Sequence, residues 1–192
     1  MANTREQLVA ATKDLLWERG YEATSPRAIL EKSGAGQGSF YHHFSSKAAL
    51  AAAALQEAAD DMRCNLEPVL HSNAPALQRI RDYLTMTREE LRGCRIGRMT
   101  HEPIIVQDET LRDPIVAYFS YAEQELATVL AEAQREGALS EDINVDDLAA
   151  TLLATVQGGY VLARGFQDPE RMHQAIRGAL TLIDSIEQKK EV

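Results

Sequence analysis

A chain of 192 residues, 45% of them hydrophobic, can bury a core of its own, either as one compact body or as a small head on a larger one. Its formal net charge of −9 excludes a uniformly basic nucleic-acid binder, and no apolar stretch reaches bilayer-spanning length. Met1 to Arg19 carries both signs of charge without an unbroken apolar run, unlike a secretory leader, and Cys64 and Cys94 lack the Cys or His neighbours of a disulfide framework or zinc site, so the expectation is a cytoplasmic chain with no metal and no cofactor.

The charge is unevenly spread. Residues 1–50 hold six Lys or Arg against five Asp or Glu, a net of +1, which leaves −10 to residues 51–192. Between Thr24 and Lys47 the only carboxylate is Glu31, set against Arg27, Lys32 and Lys47, with His42 and His43 able to gain charge beside a phosphate.

Ala, Leu, Glu and Arg recur at helical spacing and no alternating strand pattern of useful length occurs, so the chain reads as all-α with about nine helices. Asn3 with Glu6 predicts a capping box, and Leu8, Ala11, Leu15 and Leu16 form the apolar stripe of a first helix that Gly20 ends. Thr24-Ser25-Pro26 opens a second helix, to about Ser33. Gly34-Ala35-Gly36 is a tight turn, after which Phe40, Tyr41 and Phe44 belong to a short third helix. An Ala-rich helix is predicted from Lys47 to about Cys64, another from an Asn73 cap to about Arg92, then a broken segment through Gly93, Gly97 and Pro103. Asp113-Pro114 is read as the start of a helix ending at Gly137, and two more run from Asn144 to Arg164 and from Asp168-Pro169 to about Gln188.

A helix-turn-helix needs a bracing helix, a glycine-containing turn, and a second helix whose first residues reach the major groove. Residues 24–47 supply each part. Ala28, Ile29 and Leu30 face the first helix while Arg27 faces out, its planar fork suited to a guanine edge or a phosphate. Gln37, Gly38 and Ser39 lead the second helix: Gln pairs with adenine, Ser is an adaptable donor and Gly admits a close backbone. Phe40 and Phe44 share a buried face, which leaves Tyr41, His42 and His43 to the DNA side or its edge. Lys47 would meet a phosphate at the next helix start. Adjacent histidines point apart on a helix, against a shared metal site, and Trp17 and Tyr21 read as packing residues.

Gly20-Tyr21, Thr24-Ser25, Ser33-Gly34, Ser39-Phe40-Tyr41-His42-His43-Phe44 and Lys47 together resemble the N-terminal signature of the TetR family of transcriptional regulators, over about residues 5–50. The resemblance implies a three-helix DNA-binding head at 1–47 and an effector-binding and dimerisation body at 48–192. It further implies Tyr41 and Lys47 on phosphates, Arg27, Gln37, Ser39 and His42 near bases, and Ser25 both capping its helix and touching the backbone. The expected function is that of a repressor that binds palindromic double-stranded operator DNA as a homodimer and is released by a small-molecule effector.

In the body, Leu152, Val156 and Tyr160 on one helix and Ile176, Leu180 and Ile183 on the last form broad apolar faces, suited to a four-helix bundle between two subunits or to burial within one. The family resemblance places an effector cavity between about Cys64 and Gly137. Met86, Met99, His101, Tyr118 and Tyr121 are candidates to line it, because Met and aromatic side chains suit adaptable apolar pockets, although taken singly each reads more readily as core. Gly93-Cys94-Arg95-Ile96-Gly97-Arg98 with Glu102 bears a weaker resemblance to a subgroup that includes regulators of multidrug and quinone-related genes. Cys94, beside two arginines, is either an oxidant sensor or a plain thiol. No nucleophile elbow, phosphate loop or metal-ligand run suggests an enzyme, and the remaining rival is a ligand-binding or redox-sensing helical dimer without DNA binding.

Overall fold

The computed structural model describes residues 3–188, and these form nine α-helices, a short 3-10 turn and no strand beyond an isolated bridge between Leu139 and Glu187. No helix among the described residues is long and apolar enough to cross a membrane. Helix α1 (Thr4–Arg19) opens on the predicted box: the Asn3 side chain accepts from the Glu6 N–H and the Glu6 carboxylate from the Asn3 N–H, each at 3.0 Å. Gly20 ends it at φ +88°, a conformation that favours glycine. Helices α2 (Pro26–Ser33) and α3 (Gln37–His43) follow at their expected places.

Later boundaries depart from the sequence reading for local reasons. Helix α4 (Lys47–Leu70) runs past Cys64 because Leu66 and Leu70 are buried and tertiary packing carries the helix on. Helix α5 (Ala76–Thr85) starts after Pro75, whose carbonyl accepts the N–H groups of Gln78 and Arg79, and Asn73 is not its cap. It stops at Thr85, well before Arg92, because the Arg88 guanidinium bends back onto the carbonyls of Tyr83, Leu84 and Met86 at 2.6–2.8 Å and satisfies the open helix end. The broken segment holds the 3-10 turn Gly97–His101 and α6 (Pro103–Gln107). Helix α7 (Glu109–Arg135) opens ahead of Pro114 because the Asp108 carboxylate accepts the Thr110 N–H at 2.9 Å. Asn144 caps α8 (Val145–Phe166), and α9 (Glu170–Ile186) completes the order.

The chain forms two compact units: one takes in residues through Met62 together with Arg95–Tyr118, and the other Arg63–Cys94 together with residues from Phe119 onward. In the first, α1, α2, α3 and the start of α4 enclose Leu8, Leu15, Ile29, Phe40 and Leu50, joined by Ile96 and Met99 from the broken segment. Lys13 on α1 ties to Glu57 and Asp61 on α4 at 2.6 and 2.7 Å, which raises its pKa even though burial opposes the charge. In the second unit α8 and α9 pack closely, with Gly159 lying where a Cβ would come within 3.1 Å of Met172 Cγ.

Arg79 is the one basic residue buried among the described residues, donating to the Leu70 carbonyl at 2.8 Å and pairing with Glu132. A charge held there needs both partners, and removing it leaves the helix-end carbonyl without its donor and takes from Glu132 the closer of its two arginines, Arg135 standing at 4.0 Å. Arg79→Ala is expected to lower unfolding stability by about 3 kcal/mol in urea titration, whereas Arg27→Ala, at an exposed site, is expected to change it by less than about 0.5 kcal/mol.

Candidate nucleic-acid interface

The first unit sets α2 and α3 as a helix-turn-helix. The Ser25 hydroxyl caps α2, accepting the Ala28 N–H at 3.2 Å, and Pro26 occupies the first turn, where its missing N–H costs nothing. Gly34 at φ +69° closes α2 and turns the chain toward α3. Ile29 is fully buried against α1, and Phe40 and Phe44 are buried beneath α3, so the rotation of α3 about its axis is fixed by two rings on one face.

That rotation leaves the opposite face to solvent. Gln37, Gly38, His42 and His43 are exposed, Ser39 is half-buried, and Tyr41 is 62% exposed, an unusual position for a large aromatic ring. The His42 and His43 rings do not diverge as adjacent helix positions suggest; they meet edge-to-face with centroids 4.9 Å apart. Arg27 is exposed near the start of α2 and bonds Glu31 one turn on at 2.8 Å, which raises its pKa. Trp17 and Tyr21 are buried, as packing residues should be.

Lys47 is placed differently from expectation. Its ammonium is turned inward, donating to the Tyr21 carbonyl at 2.7 Å and lying 4.1 Å from the centre of the Tyr21 ring. Desolvation lowers its pKa against the pull of Glu102 and Glu22. Lys32 is likewise held by Glu18 and Asp14. Side chains around the exposed edge of α3 are thus more polar than strongly basic.

A contribution not read from the sequence comes from the segment after Cys94. Arg95 stacks over Trp17, its guanidinium carbon 4.2 Å from the ring centre, and Arg98 donates to the Trp17 carbonyl at the open end of α1. The Glu102 carboxylate accepts the N–H groups of Tyr21 and Glu22, each at 2.7 Å.

Of the residues considered for an effector, Met86 lines a groove of about 350 Å³ with Leu84, Arg88, Met172, Ile176 and Leu180. Tyr121 donates to Glu67 at 3.0 Å under the Arg63 guanidinium, and burial together with that carboxylate pushes its pKa up to about 12. Cys94 is buried and not in a disulfide, and burial pushes the pKa of Tyr83 up to about 12. Met99 is wholly buried and Tyr118 nearly so, while His101 is exposed. The apolar faces of α8 and α9 are also partly used up: Leu152, Val156, Ile176 and Ile183 are buried within the single chain, and Tyr160 and Leu180 half so. The large apolar side chains left exposed there are Val161, Leu162, Phe166 and Leu182.

Residues 8–54 match the family model for bacterial regulatory proteins of the tetR family, and residues 75–179 match that for the tetracyclin repressor-like C-terminal domain. The chain belongs to the TetR family. It is a DNA-binding transcriptional regulator of the ligand-responsive kind that this family comprises. It is similar to the HTH-type transcriptional repressor DhaR of Mycobacterium sp. (strain GP1), 28% identical over 91% of this chain and 90% of that one. It is also similar to the transcriptional regulator AcuR of Cereibacter sphaeroides, 28% identical over 90% of this chain and 81% of that one. Among solved structures, a TetR transcriptional regulator from Chloroflexus aurantiacus is 26% identical and superimposes with a TM-score of 0.86 over 96% of each chain.

For this TetR-family head, Ser25→Ala removes the α2 cap while leaving the rest of the helix unchanged. The expected loss is about 1 kcal/mol in the unfolding transition that reports the first unit, and Ser25→Asp, which restores an acceptor at the positive end of the helix, should recover most of it.

Proposed function

We propose that the chain is a repressor that binds palindromic operator DNA as a homodimer in the cytoplasm and leaves it when a small molecule binds the second unit. The observation that carries the reading is the exposed polar edge of α3, where Gln37, Gly38, Ser39, Tyr41, His42 and His43 project from a helix locked by Phe40 and Phe44. A side chain held on a rigid element can be matched to base edges and phosphates, and the Tyr41 ring, which meets Phe40 edge-on at 5.1 Å, still leaves most of its surface and its hydroxyl end open to a partner. Arg27 stands beside this edge on α2 and exchanges Glu31 for a phosphate or guanine at little cost, the pair being exposed. Lys47 supports the head from within by holding the Tyr21 carbonyl.

One short reading helix has modest affinity, and a two-fold dimer on two half-sites supplies the rest. The surface that fits a second copy is the outer face of α8 and α9, where Val161, Leu162, Phe166 and Leu182 are exposed next to the small Gly158, Gly165 and Gly178. Leu152, Val156, Ile176 and Ile183 serve that interface only by holding the two helices together. For an effector, the groove beside Met86 has the size and mixed lining of a small-ligand site, apolar with Arg88 and His173 at its edge. The names of the similar DhaR and AcuR agree with regulation of transcription, and DhaR's with repression.

Fluorescence anisotropy on duplexes selected by the wild-type protein from a random pool tests the reading. Tyr41→Ala is expected to abolish selective binding while lowering unfolding stability by no more than about 1 kcal/mol, the scale of its edge-on contact with Phe40. Arg27→Ala should either flatten the dependence of log affinity on log salt by about 1 or relax preference at one base pair at a cost of about 1–3 kcal/mol. Selective binding that survives Tyr41→Ala and Arg27→Ala together would refute the assigned face.

A further inference from the structure

The turn between α1 and α2 is held by a residue about eighty positions away in the chain. The Gly20 N–H still closes α1 on the Leu16 carbonyl at 2.9 Å, but those of Tyr21 and Glu22 lie beyond the helix, and the Glu102 carboxylate takes both, Tyr21 at Oε1 and Glu22 at Oε2, each at 2.7 Å. The opposite side of the same turn is equally occupied. The Tyr21 carbonyl accepts both the Lys47 ammonium at 2.7 Å and the Thr24 N–H at 3.1 Å, and the Thr24 hydroxyl, buried, donates to the Gly20 carbonyl at 2.6 Å. Ser25, the cap of α2, is the next residue. The turn therefore sets where α2 begins, and Lys47 connects it to the start of α4.

Gly20 shows how closely the carboxylate is seated. Its φ of +88° disfavours any side chain, and a Cβ there would overlap Glu102 Oε1. Arg98 on the Trp17 carbonyl and Arg95 over the Trp17 ring pin the same segment to the end of α1, so Glu102 is delivered by a short stretch with several attachments. None of these groups lies on the exposed edge of α3.

We propose that Glu102 is a positioning residue for operator binding: without touching DNA, it fixes the α1–α2 turn and so the pose in which α2 and α3 meet the duplex. The inference rests on the DNA-binding reading above. The carboxylate is well suited to the task because both its oxygens accept. Glu102→Gln has the same shape but puts an NH2 group against one of the two N–H donors, so the turn loses one bond and gains a donor–donor contact. The turn then occupies its bound-state geometry only part of the time, and apparent affinity falls by that fraction.

The test uses the full-length protein and duplexes selected by the wild type from a random pool, with unfolding curves recorded alongside. Glu102→Gln is expected to bind about tenfold more weakly, as for a turn ordered in about a tenth of molecules, while remaining folded at the assay temperature. Gly20→Ala, which displaces the carboxylate from the other side, should give a similar loss, and the double variant should bind no worse than the weaker single. Tyr41→Ala, a contact variant, should add its full effect to Glu102→Gln. Wild-type affinity in Glu102→Gln, additive losses in the double variant, or a loss no greater than the unfolded fraction would each overturn the proposal. A wild type that selects no DNA sequence at all would overturn the DNA-binding reading itself and this inference with it.

Discussion

Five residues, Gly20 to Thr24, carry the chain from α1 into α2 and α3, and past the Gly20 N–H, which closes α1 on Leu16, their peptide groups lie outside any helix. What they bond to instead organises the first unit. Glu102 takes two N–H groups, Lys47 and Thr24 take the carbonyls, and Gly20 supplies the left-handed step that lets the carboxylate in. The exposed face of α3 is meaningful only because this turn and the Phe40–Phe44 pair leave α2 and α3 little freedom. A reading surface that is not strongly basic gains specificity from such rigidity, because selectivity depends on placing a few polar groups accurately and nonspecific phosphate attraction is the term it can do without.

The helix-turn-helix was legible in the sequence because every part of it is local. A hydroxyl before proline, a glycine turn and two phenylalanines four apart each act within a single turn of chain, and the structure places Ser25, Gly34, Phe40 and Phe44 in those roles. What escaped the sequence was long-range. Nothing near Glu102 indicates that its partners are Tyr21 and Glu22, and nothing near Lys47 indicates that its ammonium points to a carbonyl rather than outward. The early end of α5 has the same cause on a smaller scale: the pattern of apolar residues continues, but Arg88 folds back onto the last carbonyls.

The α8 and α9 faces illustrate a different limit. Periodicity reports how wide an apolar face is and not which half of it a neighbouring helix of the same chain will take. Leu152, Val156, Ile176 and Ile183 proved to be the inner half, and Val161, Leu162, Phe166 and Leu182 the outer one. With α8 packed closely on α9 over Gly159, the inner half closes the core and the outer half is left to solvent, so the exposed apolar surface is a consequence of how the chain closes its own core.

The central claim is that the Ser25 to Lys47 region of the first unit is where DNA is read. Amide hydrogen exchange on the intact protein, with and without a duplex that it selects, tests this residue by residue without any substitution. The account predicts added protection across α2 and α3, greatest from Gln37 to Tyr41, and none of comparable size in Arg63–Cys94. Protection confined to the second unit, with α3 exchanging as fast as in the free protein, would contradict it.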